Sequence, residues 1–434
     1  MNLLDANDTP GSYPDSWYAA TAKAPQSARP ALPGDRRVDV CVVGAGYTGL
    51  SAALHLAQNG ARVAVVDAHR AGFGASGRNG GQLGSGQRQD QHTLEALTGQ
   101  DQAHRLWELG QDAKALVKSL IATHGIDCDL APGVAWTGST PSDVRGLHKM
   151  ADHLSTHYAY DMDRLDKAAC QALCPSPDYC GGLIDWDAAH LHPLKLALGM
   201  AHAAEQAGAT IYETTRVTQL RPGAPAQVIT DHGTLTADHV VLAANGYLGD
   251  LAPKVAARVM PINNFIVATE PLGPRTAEVL TRNVAVADSR FVVNYFRLSP
   301  DGRLLFGGGE SYGYRFPKDI RAVVRKPMMQ IFPHLADVRL EYAWGGTLAI
   351  TMGRMPYLAR PAQGILSASG FSGHGVGTAT HAGHLMAQAI AGQENGFNTL
   401  ASLPTQPFPG GTRLRSPLLA LAMTWFALRD RLGL

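Results

Sequence analysis

A glycine-rich turn between two short apolar runs constrains the fold of this chain more than any other feature of its sequence. Residues 38–43 are almost wholly apolar, which is typical of a strand buried on both faces of a parallel sheet. Gly44, Gly46 and Gly49 follow at the spacing G-x-G-x-x-G, a helical pattern comes next, and a second apolar run ends at Asp67. This order of strand, turn, helix, strand and acid predicts a βαβ unit that binds a dinucleotide.

Each glycine of this turn has a separate physical role. Gly44 permits the tight turn out of the strand, Gly46 leaves the backbone open to a pyrophosphate, and Gly49 lets the helix lie close to the sheet. The helix amino end offers free N–H groups and a partial positive charge to the phosphates. Asp67 is placed to accept hydrogen bonds from ribose hydroxyls, and its charge disfavours NADP. The pattern leaves NAD and FAD open, and a glycine-rich turn in some other α/β protein is the alternative.

Two further glycine-rich loops extend the prediction. Residues 72–82 contain five glycines together with Ser, Arg and Asn donors, which suits a loop that wraps a phosphate or a flavin edge. Residues 370–377 join a strand to a helix and contain His374. A helix that begins there points its positive end at a ligand, and in a flavin enzyme it stabilises negative charge on the reduced ring. The alternatives are a flexible surface loop and a histidine that caps a turn.

The composition excludes several classes of protein. The 434 residues include 37 lysines and arginines against 36 aspartates and glutamates, and this balance gives no support for nucleic-acid binding. With 45% apolar residues the chain can bury a large core, which excludes wholesale disorder. Five cysteines in so long a chain do not make a disulfide scaffold. Without a leader pattern or an apolar run of spanning length, we expect a cytoplasmic protein with no membrane span.

The order of predicted elements indicates an α/β protein in which a second domain interrupts the first. We expect a Rossmann-like nucleotide-binding domain assembled from discontinuous segments, with an inserted α+β domain that carries a mixed or antiparallel sheet. The elements predicted are helices within 91–124, at 193–206 and at 378–390, a hairpin at 227–236, and strands at 210–220, 291–298 and 365–369. The boundaries expected are 1–36 for an N-terminal arm; 37–90, 193–255 and 350–400 for the nucleotide-binding domain; 91–192 and 256–349 for the inserted substrate domain; and 401–434 for a C-terminal tail helix.

Together these segments resemble the D-amino-acid oxidase-like family of FAD-dependent amine oxidoreductases, and within it gamma-glutamylputrescine oxidase and its relatives. The resemblance covers nearly the whole chain and is carried by residues 38–50, 72–82, 295–308, 370–375 and 408–432. It implies that the nucleotide-binding domain is an FAD-binding domain that holds FAD in an extended form. The pyrophosphate then lies at the first glycine turn, the ribose at Asp67, the adenine at the backbone of Val217 and the flavin between the other two loops.

The resemblance implies cofactor contacts in several segments. They are Gly44, Ala45, Gly46, Tyr47, Thr48 and Gly49; Asp67 and Ala68; Ser76, Gly77, Arg78, Asn79, Gly80, Gly81 and Gln82; Val217; Ala244, Asn245 and Gly246; and Gly373, His374, Gly375, Val376, Gly377 and Thr378. The expected catalytic residues are His374 and Arg78, with His374 assigned to positioning or charge stabilisation rather than to obligatory base catalysis. Tyr295, Arg297 and Trp344 are the candidate substrate contacts, and ordinary core packing is their alternative.

The chain departs from some relatives at positions that affect its chemistry. It has no cysteine after Cys180, and Arg78 and Asn79 stand where other relatives attach flavin through a histidine, so FAD is expected to be non-covalent. Sarcosine oxidase-like enzymes carry a lysine after the Ser-Gly-His-Gly loop, whereas Val376 and Gly377 stand here. This substitution disfavours a sarcosine-like mode of holding a substrate carboxylate.

The expected activity is the FAD-dependent oxidation of an amine C–N bond, with a γ-glutamylputrescine-like primary amine favoured. Hydride passes to flavin N5, the imine hydrolyses to an aldehyde, and O₂ reoxidises the flavin to give H₂O₂. The alternatives are an oxidase or dehydrogenase of a secondary amino acid such as pipecolate or sarcosine, an NAD-linked dehydrogenase, and a non-catalytic nucleotide-binding protein. No metal is expected, because the spacing of the cysteines and of His190 and His192 fits no zinc pattern. The oligomeric state stays open.

Overall fold

The computed structural model describes residues 3–24, 27–311 and 313–411, so the expected tail helix lies outside the described residues from position 412 onward. The strands, in chain order, are β1 (Arg36–Val43), β2 (Val63–Val66), β3 (Gln82–Leu83), β4 (Ala131–Gly138), β5 (Asp163–Leu165), β6 (Gly181–His190), β7 (Thr210–Tyr212), β8 (Val217–Arg221), β9 (Ala226–Thr230), β10 (Thr234–Leu242), β11 (Met260–Thr269), β12 (Ala285–Asp288), β13 (Tyr295–Leu298), β14 (Leu304–Ser311), β15 (Leu340–Ile350), β16 (Tyr357–Ala362) and β17 (Ile365–Ser369). The α-helices are α1 (Trp17–Thr21), α2 (Tyr47–Gln58), α3 (Gln91–Thr98), α4 (Gln100–Thr123), α5 (Pro141–Tyr158), α6 (Lys167–Leu173), α7 (Pro193–Gln206), α8 (Pro253–Ala256), α9 (Ile320–Ile331), α10 (Gly375–Ile390) and α11 (Asn395–Ala401).

The first sheet is built around parallel strands from distant parts of the chain. Its order is β16-β17-β10-β1-β2-β7, with the β8–β9 hairpin attached beside β10. β1 runs parallel to both β10 and β2, β2 runs parallel to β7, and β10 runs parallel to β17. Every residue of β2 and the last four of β1 are buried, as a sheet covered on both faces requires. Because the strands are parallel, the loops after β1, β2, β10 and β17 leave from one edge of the sheet.

Helices α2, α4, α7 and α10 cover one face of this sheet through a shared apolar core. α2 and α10 touch backbone to backbone, because a Cβ atom on Gly383 would lie 2.1 Å from the carbonyl oxygen of Thr48. This contact sets the first turn of α2 against the middle of α10. Two helices that are far apart in sequence are thereby fixed relative to each other.

The second sheet is mostly antiparallel and lies between segments of the first. Its order is β15-β11-β14-β13-β12-β4-β6-β3, with β5 paired to β6, and β12–β4 is its parallel pair within the described residues. The chain enters this sheet at β3, directly after the second glycine loop, returns to the first sheet for β7 to β10, and leaves the second sheet at the end of β15. One sheet from discontinuous segments and a second, inserted sheet confirm the expected fold class.

Residues 210–220 form two strands, whereas the sequence predicted one. Thr214 has φ +48°, a left-handed conformation that interrupts an extended strand. The bend is held by the segment after β2, because Thr214 N–H donates to His69 O at 2.8 Å and Thr215 N–H donates to Asp67 O at 2.7 Å. β7 therefore ends in the parallel sheet, and β8 pairs with β9 instead.

Two other predicted elements differ in extent. Of residues 291–298 only the last four form a strand, because the Asp288 carboxylate accepts the N–H of Asn294 at 2.9 Å and folds the preceding segment into a turn. The helix predicted at 378–390 begins three residues earlier, at Gly375. Within the described ranges, no helix has the length and apolarity needed to span a bilayer, and no group of three or more His, Cys, Asp or Glu is arranged to hold a metal ion.

Candidate active site

A cavity of about 350 Å³ lies where the parallel strands end and extends to the second sheet. Its wall includes residues from all the predicted segments. These are Gly44, Gly46, Tyr47, Thr48, Asp67, Ala68, Ser76, Arg78, Asn79, Gly80, Gln82, Val217, Ala244, Asn245, Tyr295, Gly373, His374, Gly375 and Val376. The fold thus brings segments that are more than 300 residues apart in the chain to one cavity.

The first glycine turn leaves its backbone open toward this cavity. Gly44 has φ +108°, and a Cβ atom there would lie 2.8 Å from the carbonyl oxygen of Ala243, so only glycine fits. Gly46 is the N-cap of α2 and gives no side-chain cap, which leaves N–H groups of the first turn directed at the cavity. Tyr47 N–H donates to Ser76 Oγ at 3.0 Å, and a Cβ on Gly46 would lie 2.8 Å from that oxygen. The first and second glycine loops are therefore in direct contact.

Asp67 links the glycine turn to the loop after β2. Its Oδ2 accepts the N–H of Ala45 at 2.7 Å, and its Oδ1 accepts the N–H of His69 at 2.8 Å. Burial raises the pKa of the Asp67 carboxyl, while these two hydrogen bonds act in the opposite direction. Asp67 lies on the cavity wall and retains lone pairs for a ribose hydroxyl, because each carboxylate oxygen accepts more than one bond.

Arg78 is held rigidly in the second loop by four contacts. Its Nε donates to Phe73 O at 2.6 Å, and its Nη1 donates to Asp8 at 2.9 Å and to Gly345 O at 3.2 Å. Its guanidinium also lies 4.4 Å from the ring centroid of Phe73. The remaining nitrogen, Nη2, is buried with no hydrogen-bond partner among the described residues. A buried charged donor without a partner on a cavity wall points to an acceptor on a ligand.

The rest of the second loop is shaped by its own hydrogen bonds. Asn79 donates from Nδ2 to the carbonyl oxygens of Ala75 and Ser76 at 3.0 Å each and accepts the N–H of Gly81 at 2.8 Å. These bonds close the turn so that Gly80 passes under the ring of Tyr295 on β13. A Cβ on Gly80 would lie 2.6 Å from that ring, so the second sheet packs on the loop backbone.

The third loop leads into α10, whose N-cap residue is His374. The helix again lacks a side-chain cap, so its first N–H groups are directed at the cavity. His374 Nε2 lies 3.2 Å from Gly86 O, and because a carbonyl oxygen only accepts, Nε2 carries the proton and Nδ1 is the accepting nitrogen. Burial, with a smaller effect of Arg88, lowers the pKa of His374 to about 4. The imidazole is therefore neutral near pH 7.

Several predicted cofactor residues lie behind the wall and shape the loops. A Cβ on Gly49, Gly77 or Gly81 would come within 1.8 to 2.2 Å of a backbone oxygen, so these glycines allow close backbone packing. Thr378 donates from Oγ1 to His374 O at 2.6 Å within the first turn of α10. The remaining predicted residues that do not line the cavity are Ala45, Gly246 and Gly377.

Of the three candidate substrate contacts, Tyr295 lies on the wall, whereas Arg297 and Trp344 do not. Arg297 donates to the carbonyl oxygens of Leu191 and Gly80 at 3.0 and 3.3 Å. Trp344 is 2% exposed and donates from Nε1 to Arg78 O at 3.1 Å. Both side chains join the second sheet to the glycine loops, which favours the packing alternative over a substrate contact for these two residues.

Sequence reasoning missed part of the wall that comes from the second sheet and from the N-terminal arm. Arg88, Trp136, Phe291, Glu310 and Arg354 line the cavity without any motif that marks them. The arm contributes Leu4 to the wall, and its Asp8 accepts a hydrogen bond from Arg78. No local sequence pattern marks these residues, because each reaches the cavity only through contacts between distant segments.

The arrangement fits a dinucleotide-type cofactor. Two helix amino ends whose N-cap residues give no side-chain cap, together with the partnerless Nη2 of Arg78, supply donors for phosphates and for a polar ring, and the glycine cradle leaves space that a Cβ atom would fill. Asp67 is placed near the first of these helix ends through its bond to Ala45. The donors are spread over the whole cavity rather than collected at one point, as an extended ligand requires.

Comparison with protein families gives one match over most of the chain. The family model described as "FAD dependent oxidoreductase" (DAO) matches residues 39–389. The match includes the first glycine turn and most of α10. It thus covers every segment that forms the cavity except the N-terminal arm.

Individual relatives match over nearly their full length. The chain is 43% identical over 418 residues to a probable oxidoreductase OrdL of Rhizobium meliloti (strain 1021), covering 96% of this chain and 97% of the relative. It is 39% identical over 426 residues to the gamma-glutamylputrescine oxidoreductase of Escherichia coli (strain K12), covering 97% and 99%. Among solved structures, glycine oxidase from Geobacillus kaustophilus superposes with a TM-score of 0.69 at 23% identity, covering 82% of this chain and 95% of that chain.

Proposed function

The chain belongs to the DAO family of FAD-dependent oxidoreductases, and from that premise we propose that it oxidises the C–N bond of a primary amine that also carries a carboxylate, as γ-glutamylputrescine does. Its 39% identity to a gamma-glutamylputrescine oxidoreductase over nearly the whole of both chains supports this choice of substrate. Since FAD is the cofactor of the family, the NAD-linked dehydrogenase considered from the sequence is wrong.

One observation of the structure carries the proposal. The amino ends of α2 and α10, which begin at Tyr47 and Gly375, face the same cavity. The first is suited to a pyrophosphate and the second to a ring that gains negative charge, since both helix ends are positive. One helix amino end in a cavity is enough to bind the phosphates of a nucleotide. The second amino end is suited to a redox ring bound at the other end of the same ligand.

The residues on the wall divide between holding FAD and shaping the space beside it. Gly44 and Gly46 would leave room for the pyrophosphate, Asp67 would accept hydrogen bonds from ribose hydroxyl groups, and Arg78 would offer Nη2 to the flavin end. When bound, FAD supplies the chemistry by accepting a hydride from the carbon next to the substrate nitrogen. The amino end of α10 favours the negative charge that this transfer brings to the site.

Neither His374 nor Tyr295 is suited to act as a strong base at the flavin end. His374 is neutral, and burial raises the pKa of the Tyr295 phenol, which donates to Asn264 Oδ1 at 2.5 Å. We therefore assign both residues to positioning, and the substrate amine enters as its free base. Its deprotonation is governed by the pKa of the amine, about 10 for a simple ammonium group.

We also propose that FAD is held non-covalently. None of the five cysteines lines the cavity, and the two ring nitrogens of His69 are engaged by Leu4 O at 2.9 Å and the N–H of Gly11 at 3.3 Å. Acid precipitation of the purified protein should release the yellow colour into the supernatant. A yellow pellet would show a covalent link instead.

The activity is tested by a panel of amines under air, with peroxide and aldehyde measured together. γ-Glutamylputrescine, putrescine, sarcosine and pipecolate cover a primary amine with a remote carboxylate, a primary amine without one, and two secondary amino acids. We expect the highest kcat/KM with γ-glutamylputrescine and one peroxide for each aldehyde formed. Preferred turnover of sarcosine or pipecolate would favour the secondary amino acid alternative, and aldehyde without peroxide would show an acceptor other than O₂.

A further inference from the structure

Within the ranges that the structure describes, four arginine side chains line the cavity; two of them form ion pairs with acidic residues and two do not. Among the described residues, Arg78, Arg88, Arg216 and Arg354 line the cavity. Arg78 pairs with Asp8 at 2.9 Å and Arg216 pairs with Asp5 at 3.0 Å, so the N-terminal arm neutralises both. No ion pair joins Arg88 or Arg354 to any acidic residue in the described part of the chain, although both are partly buried.

Arg88 and Arg354 lie together at the His374 end of the cavity. Arg88 donates from Nε to Ser372 O at 3.1 Å, two residues before His374. The guanidinium of Arg354 lies 5.8 Å from the ring centroid of Phe291. Burial and the nearby charge of Arg354 lower the pKa of Arg88, which indicates that the two cations repel each other. The hydrogen bond of Arg88 is thus to the third glycine loop and not to the first glycine turn, which is the turn suited to the pyrophosphate.

The backbone holds the two arginines in this unfavourable arrangement. Arg354 has φ +60°, a left-handed conformation that is strained for a residue other than glycine. Its N–H donates to Thr351 O at 3.2 Å, which fixes the bend after β15. Gln89 Nε2 donates to Gly353 O at 3.2 Å and ties the two arginine-bearing segments together. Strain and like charge at one place are typical of a site that is stabilised by its ligand.

We propose that Arg88 and Arg354 together bind the carboxylate of the amine substrate, a proposal that rests on the proposed function and defines its substrate class. A guanidinium presents two parallel N–H donors that match the two oxygens of a carboxylate, and a carboxylate between two such groups removes their mutual repulsion. Phe291 lies against Arg354, Trp136 lines the same cavity, and both supply apolar surface for the methylene groups of the substrate. The enzyme therefore selects amines that carry a carboxylate over plain diamines.

The test measures the kinetics of two substrates, one with a carboxylate and one without. Each is assayed with the unmodified enzyme, Arg88→Gln, Arg354→Gln and the double variant. γ-Glutamylputrescine carries the carboxylate, whereas N-acetylputrescine presents the same primary amine and amide without it. We expect kcat/KM to fall about 10- to 100-fold more for γ-glutamylputrescine than for N-acetylputrescine in each single variant, mainly through a higher KM for γ-glutamylputrescine. Arg105→Gln is the matched control, since Arg105 lies exposed on α4 and bonds only Gln102 among the described residues. An equal rise in KM for both substrates would overturn the proposal.

A second measurement does not depend on turnover. Glutarate, which has carboxylates but no amine, should perturb the visible absorbance of the bound flavin in the unmodified enzyme and not in the double variant, while Arg88→Lys should retain part of the effect. If no amine reduces the flavin but glutarate still binds in an arginine-dependent way, the proposed function fails and the carboxylate site stands. Equal glutarate binding in the unmodified enzyme and the double variant, or a changed flavin reduction potential without any change in substrate discrimination, would overturn the carboxylate site.

Discussion

His374 contributes a neutral imidazole to the cavity wall rather than a positive charge. Desolvation lowers its pKa to about 4, and its accepting nitrogen is Nδ1 because Nε2 donates to Gly86 O. The sequence allowed either positioning or charge stabilisation for this residue. The burial of the ring favours positioning, since a cation would be costly here and Arg88 already lies nearby.

Replacing His374 should lower turnover by a factor that does not change with pH. We expect His374→Ala to lower kcat about 10-fold or more, and His374→Asn, which keeps a donor toward Gly86 O, to lose less. Between about pH 6 and 9 the ratio of the two enzymes' kcat values should stay constant, because His374 does not titrate there. Steady-state kinetics over this range measures the ratio; a ratio that changes near pH 6.5 would assign His374 a proton-transfer role.

Gly46 is the residue of the first turn whose substitution gives the clearest test of cofactor binding. A methyl group there would lie 2.8 Å from Ser76 Oγ, closer than a Cβ atom tolerates, so the bond from Tyr47 N–H would break or the helix would shift. We expect Gly46→Ala to raise the FAD dissociation constant about 10-fold or more by weakening the pyrophosphate cradle.

Fluorescence titration of the apoprotein with FAD gives that dissociation constant. Gly146→Ala is the control, since Gly146 lies in α5 with no atom within 4 Å of the added methyl group. Equal FAD affinity of Gly46→Ala and the unmodified protein would show that the pyrophosphate lies elsewhere.

At the residue scale, the sequence identified side chains whose role follows from local spacing and missed those whose role follows from packing. Gly44, Gly46 and Asp67 belong to one short βαβ unit, so their spacing alone predicts a shared site. Arg88 and Arg354 meet only because two distant loops are joined by a side-chain hydrogen bond. No periodicity or motif carries that information.

At the scale of elements, the N-terminal arm has a larger role than its composition suggested. Leu4 lines the cavity, Asp5 and Asp8 pair with arginines on its wall, and Tyr13 OH donates to Ala71 O at 2.8 Å. The arm thus spans from the β8 end of the cavity to the second glycine loop. Its Asp8 holds Nη1 of Arg78, whose Nη2 is left without a hydrogen-bond partner among the described residues.

Loss of the arm contact should weaken FAD binding. Asp8→Asn leaves Arg78 buried with a neutral partner, and deletion of residues 1–12 removes the Asp5 contact as well. We expect both changes to speed FAD release and to lower Tm, the deletion more than the substitution, because an uncompensated buried charge is strongly destabilising. FAD release during a thermal ramp reports both effects. Asp15→Asn, at an exposed position of the same arm, is the control; if it matched Asp8→Asn, the ion pair would have no special role.

The elements themselves were largely predictable, and the errors have local causes. The hairpin over 227–236 and the helix over 193–206 match β9–β10 and α7. The single strand expected over 210–220 is broken because Thr214 adopts a left-handed conformation that threonine seldom takes. That bend depends on backbone hydrogen bonds to Asp67 and His69, which lie too far away in the sequence for a local pattern to reveal the bend.

At the scale of the whole molecule, the buried histidines connect its stability to pH. Burial lowers the pKa of His190, His374, His381 and His384 to about 4 and that of His192 to about 3. The ordinary value is 6.5, so below that pH the unfolded chain binds protons that the folded chain does not. The stability these histidines provide is complete above about pH 6.5 and falls as the pH drops toward 4.

The apoprotein should therefore lose stability steeply between about pH 6.5 and 4.5. Each histidine adds a slope approaching about 1.4 kcal/mol per pH unit in this range. His381→Gln and His384→Gln remove groups away from the candidate site and should each make the loss shallower, whereas exchange of the exposed His232 should not. Urea unfolding at several pH values measures the slope; identical slopes in all variants would show that these histidines do not govern it.

Amine oxidation by this chain requires that the two distant glycine loops enclose one flavin beside a site for an amine that carries a carboxylate. The most direct test is anaerobic mixing of the FAD-loaded protein with γ-glutamylputrescine while the visible flavin absorbance is followed. We predict full loss of that absorbance with one equivalent of amine and its return when O₂ is admitted. A spectrum that stays oxidised with this amine and with every other amine of the panel would contradict the account.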